Sequence, residues 1–182
     1  VLLITVVMNI LLFPYVQFIP AVAKNVLSVG PSLMGLLMSA DGIGSLIGAL
    51  IIASLSIKSN SYGRIFIFGT MIGLVFLLVF SLSANFVLSF GLLMLMGIGL
   101  SGFGTMQSLI ILVSSSYNMR GRTMGILGLA IGMQPFGLIL IGYLAEISGP
   151  SFAILIASSI GLVFTSVILT QSSQLWNLKE TQ

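Results

Sequence analysis

Few residues in this 182-residue chain can do chemistry, because it has six Lys or Arg, three Asp or Glu, no His and no Cys. Without imidazole or thiolate it has no Ser-His-Asp triad, no cysteine nucleophile and no zinc site of the usual ligand types. The acid Asp41 and the amides Asn9, Gln107 and Gln134 stand inside long apolar runs. These four side chains are the candidates for a polar site.

The overall composition excludes a water-soluble domain. The chain is 58% hydrophobic and 5% charged, whereas a soluble domain carries about 25% charged residues. The six cations form no patch, so a nucleic-acid partner is not expected. The lipid bilayer is the expected partner.

The uncharged runs predict the elements that must position these side chains. A helix needs about 20 apolar residues to cross a hydrocarbon core of about 30 Å, whereas β-barrel strands are about 10 residues long and alternate in polarity. We therefore expect an all-α integral membrane protein, one domain over residues 1–182, with six transmembrane helices. The predicted spans are 1–19, 32–56, 65–83, 86–116, 123–147 and 151–170.

The depth of the four polar side chains follows from a rise of 1.5 Å per residue. Asp41 lies ten residues past Pro31, so we place it about 15 Å from the outer face, at the midplane. Asn9, Gln107 and Gln134 lie about 16 to 20 Å from their nearest predicted helix ends. With Asp41, these side chains belong to spans 1, 2, 4 and 5, whereas spans 3 and 6 contain no Asn, Gln or charged residue. We expect the first four to line a polar cavity and the other two to face lipid.

Asp41 has two interpretations. An acid at a helix centre costs about 2.5 to 3.5 kcal/mol on insertion scales, so it usually faces a cavity. Because burial disfavours the charged form of a carboxyl, Asp41 is a candidate for proton coupling or for anchoring a cationic substrate. The alternative is a protonated Asp41 that bonds to a neighbouring helix and has no transport role.

The amides and Pro135 also allow a structural interpretation. Asn9, Gln107 and Gln134 either line the cavity or act as interhelical hydrogen-bonding groups. Pro135 predicts a helix kink, which would leave free carbonyls beside Gln134. The alternative is a kink that serves packing alone.

Counting Lys and Arg on alternate sides of the spans predicts the orientation. Five cations fall on one side and Lys24 alone on the other, so the first side, with the C-terminus, is expected to be cytoplasmic. Tyr15 and Tyr143 are expected near the outer ends, as part of an interfacial aromatic belt. The five cations are Lys58, Arg64, Arg120, Arg122 and Lys179.

Glycines at small-residue spacing favour close helix packing. The pairs are Gly44 with Gly48, Gly121 with Gly125, and Gly128 with Gly132. The stretch 97–102 matches G-x-G-x-x-G, but it lacks the strand, βαβ unit and downstream acid of a dinucleotide site. No cofactor and no metal are expected.

One loop resembles a known family. Arg120, Gly121 and Arg122 open the run 120–125, which resembles the R-G-R-v-m signature of major facilitator superfamily transporters, closest to the enterobactin-exporter and macrolide-efflux group. The stretches 35–44 and 144–149 are similar to that group too.

A second family motif, G-x-x-x-D-R-x-G-R, survives in part. Gly63 and Arg64 match its end, whereas Asn60 and Ser61 stand where the family has Asp and Arg. The resemblance implies that the charge network at the inner gate cannot form here in full.

The resemblance implies the C-terminal six-helix half of a twelve-helix transporter, with an N-terminal half as partner and spans 1, 2, 4 and 5 around the cavity. It implies proton-coupled export of amphipathic small molecules, of drug or siderophore type, by alternating access. The location would be the bacterial inner or plasma membrane. The missing initial Met also suggests a fragment.

Two alternatives to transport are an intramembrane enzyme and a membrane scaffold. An intramembrane enzyme needs a nucleophile with a base, or paired carboxylates, and a single midplane acid supplies neither. A non-transporting six-helix scaffold, or the remnant of a truncated transporter gene, is the alternative to transport.

Overall fold

A computed structural model describes residues 1–55 and 61–171. This part of the chain is helical and contains no strand. Six of its helices are long and apolar enough to cross a membrane, which is the architecture expected of a membrane protein. We call them spans 1 to 6: Leu2–Asn25, Pro31–Ser54, Tyr62–Ser81, Phe86–Ser114, Tyr117–Ser148 and Pro150–Gln171.

Short polar or glycine-containing turns separate the spans. Asn85 caps span 4, since its side-chain oxygen accepts from the N–H groups of Val87 and Leu88 at 2.9 and 3.3 Å. Span 5 ends at Ser148, and Gly149, the next residue, has a φ of 87°, a conformation that side chains disfavour. Pro150 then starts span 6.

Span 1 is not a uniform helix. It consists of α1 (Leu2–Val7), a π-helical segment (Met8–Leu12) and α2 (Tyr15–Asn25). The N–H of Phe13 donates to the carbonyl of Met8 at 3.0 Å, which is the longer bond of a π turn.

The first span was predicted to end near residue 19, but its helix continues through Pro20 to Asn25. Membrane helices tolerate proline because neighbouring groups satisfy the carbonyl that it leaves free. Proline was therefore an unreliable end signal here.

Span 5 is also interrupted. A short 3-10 turn (Tyr117–Met119) leads into α6 (Arg120–Ile131), and α7 (Gln134–Ser148) follows after Gly132 and Met133. The break lies directly before the predicted kink residue Pro135, which has no N–H to donate to the carbonyl of Ile131.

The basic residues predicted as loops belong to helices. Arg120, Gly121 and Arg122 form the first turn of α6, and Gly63 and Arg64 lie in the first turn of span 3. Their arginine side chains are exposed, and such side chains can extend from a helix end toward water. These arginines therefore lie at the ends of the spans, as their charge predicted, but inside the helices and not in loops.

Span 4 lies at the centre of the packing. Gly44 and Gly48 of span 2 come against the backbone of Met94 and Ile98, and Gly97 comes against the carbonyl of Asp41. A side chain at these glycines would collide with backbone, so their small size sets the close approach. Gly44 meets Met94 and Gly48 meets Ile98, so residue numbers rise together along the two spans. Spans 2 and 4 therefore run parallel.

Span 3 packs on another face of span 4. Gly69 meets Gly99 and Phe103, and Gly102 meets Ile65, an antiparallel arrangement. The G-x-G-x-x-G stretch of span 4 thus supplies close contacts to spans 2 and 3.

Burial differs among the spans. In their most apolar stretches, half of span 3 is buried, but only 22% of spans 2 and 5. Span 3 is expected to face lipid, and it keeps exposed apolar side chains such as Phe68 and Val75, but a lack of polar residues did not indicate how closely it packs on its neighbours.

Candidate functional site

A cavity of about 380 Å³ opens between spans 1, 2, 4 and 5. The four polar residues singled out in the sequence all line it. Spans 3 and 6 contribute nothing to its lining. The lining residues are Asn9, Phe13, Asp41, Ser45, Leu100, Phe103, Gly104, Gln107, Ile131 and Gln134.

The carboxyl group of Asp41 accepts two hydrogen bonds. The hydroxyl of Tyr15 donates to its Oδ2 at 2.5 Å, and the backbone N–H of Gly42 donates to its Oδ1 at 2.7 Å. Both donors are neutral, and each oxygen acts as an acceptor. An ionised carboxylate has about four lone-pair positions, so about two remain for a proton or a ligand.

Tyr15 was predicted to lie at the outer interface, and this is wrong. Its side chain is 2% exposed and bonds to Asp41. The error follows from the end of span 1: Tyr15 lies ten residues before Asn25, or about 15 Å from that helix end. Asp41 lies ten residues past Pro31, at the same depth. The correct helix end would have placed Tyr15 at the depth of Asp41 and away from the interface.

Asn9, Gln107 and Thr5 form a second group of hydrogen-bonded polar residues. The Asn9 Nδ2 donates to the carbonyl of Thr5 at 2.9 Å, within span 1. The Thr5 hydroxyl lies 3.1 Å from Gln107 Oε1, which links span 1 to span 4, and 3.2 Å from the carbonyl of Val1. Thr5 and Gln107 therefore connect spans 1 and 4, whereas Asn9 and Gln107 line the cavity. Thr5 carried no sequence signal, since threonine is common in membrane helices.

Gln134 and the break in span 5 lie beside the cavity. Gln134 is the first residue of α7 and lines the cavity with Ile131, the last residue of α6. Its amide makes no hydrogen bond within the described part of the chain. Pro135 is exposed and does not line the cavity.

An aromatic row forms the apolar wall. The rings of Phe13 and Phe103 lie 6.0 Å apart and tilted by 48°, and Phe66 stacks behind Phe103 at 5.3 Å. Phe66 is fully buried, so it fixes the ring of Phe103 from the core side. The cavity therefore combines one acid and three amides with an aromatic surface.

The remaining candidate residues lie away from the cavity. Arg120 stacks over the ring of Tyr117, with 5.7 Å between guanidinium carbon and ring centroid, at the start of span 5. Arg120, Gly121, Arg122, Gly63 and Arg64 do not line the cavity. Lys58, Asn60 and Lys179 fall outside the described residues.

Within the described residues, no group of three or more His, Cys, Asp or Glu side chains could hold a metal ion. Comparison with known protein families, curated proteins and solved structures gives no match to this chain. The function must therefore be argued from the cavity.

Proposed function

We propose that this chain is the C-terminal half of a twelve-helix major facilitator transporter. The transporter exports amphipathic small molecules, of drug or siderophore type, in exchange for protons. The observation that carries this proposal is a cavity between four membrane-length helices, lined by one carboxyl group, amides and aromatic rings. Intramembrane acids of this kind mark substrate and proton pathways.

The bare faces of spans 2 and 5 support a second bundle as partner. A Cβ added at Gly42 in span 2, or at Gly121, Gly125 and Gly128 in span 5, would meet nothing within 4 Å. Small residues let another helix approach closely. Large apolar side chains such as Leu46 and Leu129 are also exposed on these spans, at 63% and 73%. The N-terminal half would cover these faces and close the cavity.

The interruptions of spans 1 and 5 support alternating access. The π-helical segment Met8–Leu12 and the break at Gly132 and Met133 both lie beside the cavity. Discontinuous helices next to midplane sites are a common feature of transporters. Rocking of the two halves would expose the site to each side in turn.

The cations of the described residues support a cytoplasmic end. Arg64, Arg120 and Arg122 lie at the starts of spans 3 and 5, which is one end of the bundle, and Lys24 lies at the other. By the positive-inside rule the arginine end faces the cytoplasm of a bacterial inner or plasma membrane.

The test is proton-driven transport by the full-length protein in proteoliposomes, with dyes, macrolides and catecholate siderophores as substrates. A pH gradient should drive uptake, an uncoupler should abolish it, and Asp41→Asn should do the same. Glu146→Gln is the matched control, because Glu146 is exposed on span 5 and lies outside the cavity.

Two results would contradict the proposal in different ways. Gradient-driven transport by Asp41→Asn at the rate of the unaltered protein would remove the coupling role of Asp41. Failure of the unaltered protein to move any substrate would favour the scaffold, in which the Tyr15 bond to Asp41 serves only to join spans 1 and 2.

A further inference from the structure

We propose that the cavity selects organic cations, with Asp41 as the counter-charge and the Phe13 and Phe103 rings as the apolar surface. This rests on the proposed function only in taking the cavity as the site where the transported molecule binds.

The charge balance of the cavity favours a cation. Among the residues that the structure describes, Asp41 is the only acid that lines it, and no Lys or Arg does. Its two hydrogen-bond donors, Tyr15 and Gly42, are both neutral. An ionised Asp41 therefore keeps its full negative charge in a region where no basic side chain of the lining balances it. A positively charged ligand gains attraction there, and an anion meets repulsion.

The lining also distinguishes an organic cation from a metal ion. Ca²⁺ takes six to eight oxygen ligands, and transition metals prefer imidazole or thiolate. The cavity offers one carboxyl group, while Phe13, Leu100, Phe103 and Ile131 present hydrocarbon. A molecule with one positive centre and an apolar body matches both surfaces.

The aromatic row is positioned to contact such a molecule. A cation within about 6 Å of a ring centroid is attracted to the ring face, by about 0.5 to 2 kcal/mol. Phe103 is 2% exposed and stacks on Phe66, so Phe13, which is half-buried, is the ring of the row more open to such a molecule. Gln134 of span 5, whose amide makes no hydrogen bond to the described residues, adds a polar group to the lining.

The proposal is tested by binding two probes of the same shape and opposite charge to the full-length protein in nanodiscs. The probes are radiolabelled tetraphenylphosphonium and tetraphenylborate, each measured above protein-free nanodiscs. We expect saturable binding of the phosphonium and none of the borate. Asp41→Asn should weaken phosphonium binding about tenfold or more, because it removes the Coulomb attraction between the carboxylate and the phosphonium. Glu146→Gln should leave it unchanged.

Equal binding of both probes, or phosphonium binding that is unaffected by Asp41→Asn, would overturn the proposal. Asp41→Glu keeps the charge and should bind the phosphonium within a few-fold of the unaltered protein. If Asp41→Asn does not fold, the probe comparison on the unaltered protein and Asp41→Glu still decide. Asp41-dependent binding without transport of any molecule would leave the cation site standing and refute the transport function. Transport of neutral substrates without phosphonium binding would support the transport function and refute the cation site.

Discussion

The hydroxyl of Tyr15 is the group that holds Asp41 in place. It is buried, comes from a different span and donates to one carboxyl oxygen. The sequence predicted a polar site at Asp41 from its position in an apolar run. It did not predict the partner, because a tyrosine near a supposed helix end is normally an interfacial residue.

Removing this hydroxyl should destabilise the bundle. In Tyr15→Phe, Oδ2 of Asp41 loses its donor inside the protein, and such a loss costs about 1 to 3 kcal/mol. We expect a lower thermal unfolding temperature of the purified full-length protein, measured in detergent. Tyr143→Phe is the control, because Tyr143 is 66% exposed and its loss of a hydroxyl should change little. Equal unfolding temperatures for both variants would show that the bond contributes nothing.

At the scale of helices, the six spans and the break in span 5 were predictable, whereas the π-helical segment of span 1 was not predicted. Apolar runs of about 20 residues favour helices in a bilayer, because barrel strands are shorter and alternate in polarity. Within Met8–Leu12 the one polar residue, Asn9, indicates a polar site and not a type of helix. The break in span 5 was predictable to within a few residues, because Pro135 removes a backbone donor there.

The glycine contacts between spans 2 and 4 should be intolerant of even one methyl group. Gly97→Ala places a Cβ against the carbonyl of Asp41, so the two helices must separate. Gly91→Ala lies on the same span with nothing within 4 Å of its Cβ, and alanine is the better helix former by about 1 kcal/mol. Thermal unfolding should therefore show Gly97→Ala as strongly destabilised and Gly91→Ala as unchanged or slightly stabilised. The opposite order would contradict the packing of span 4.

At the scale of the whole molecule, the candidate cavity is built by four spans that the structure leaves unequally covered. Spans 2 and 5 are the least buried, yet they carry Asp41 and Gln134. Sequence polarity identified the lining, because polar side chains in lipid need a shared interior. It could not show which faces are bare, because burial depends on all neighbouring helices together.

The proposed orientation is testable with single cysteines, since this chain contains none. Asn25→Cys lies at the end of span 1, and Asn118→Cys lies in the 3-10 turn that begins span 5. Both positions are exposed. A membrane-impermeant maleimide should label Asn25→Cys in intact cells and Asn118→Cys only after permeabilisation. The reverse pattern would invert the topology.

The π-helical segment of span 1 also determines the directions in which the residues before and after it face. A π turn holds more residues than an α turn, and each residue of an α-helix turns the chain by about 100°. If Met8–Leu12 formed a regular α-helix with no residue deleted, Thr5 would rotate relative to Tyr15 by most of that angle. Thr5 could then no longer face Gln107 while Tyr15 faces Asp41. The wider π turn is therefore what lets one helix serve two polar partners at two depths.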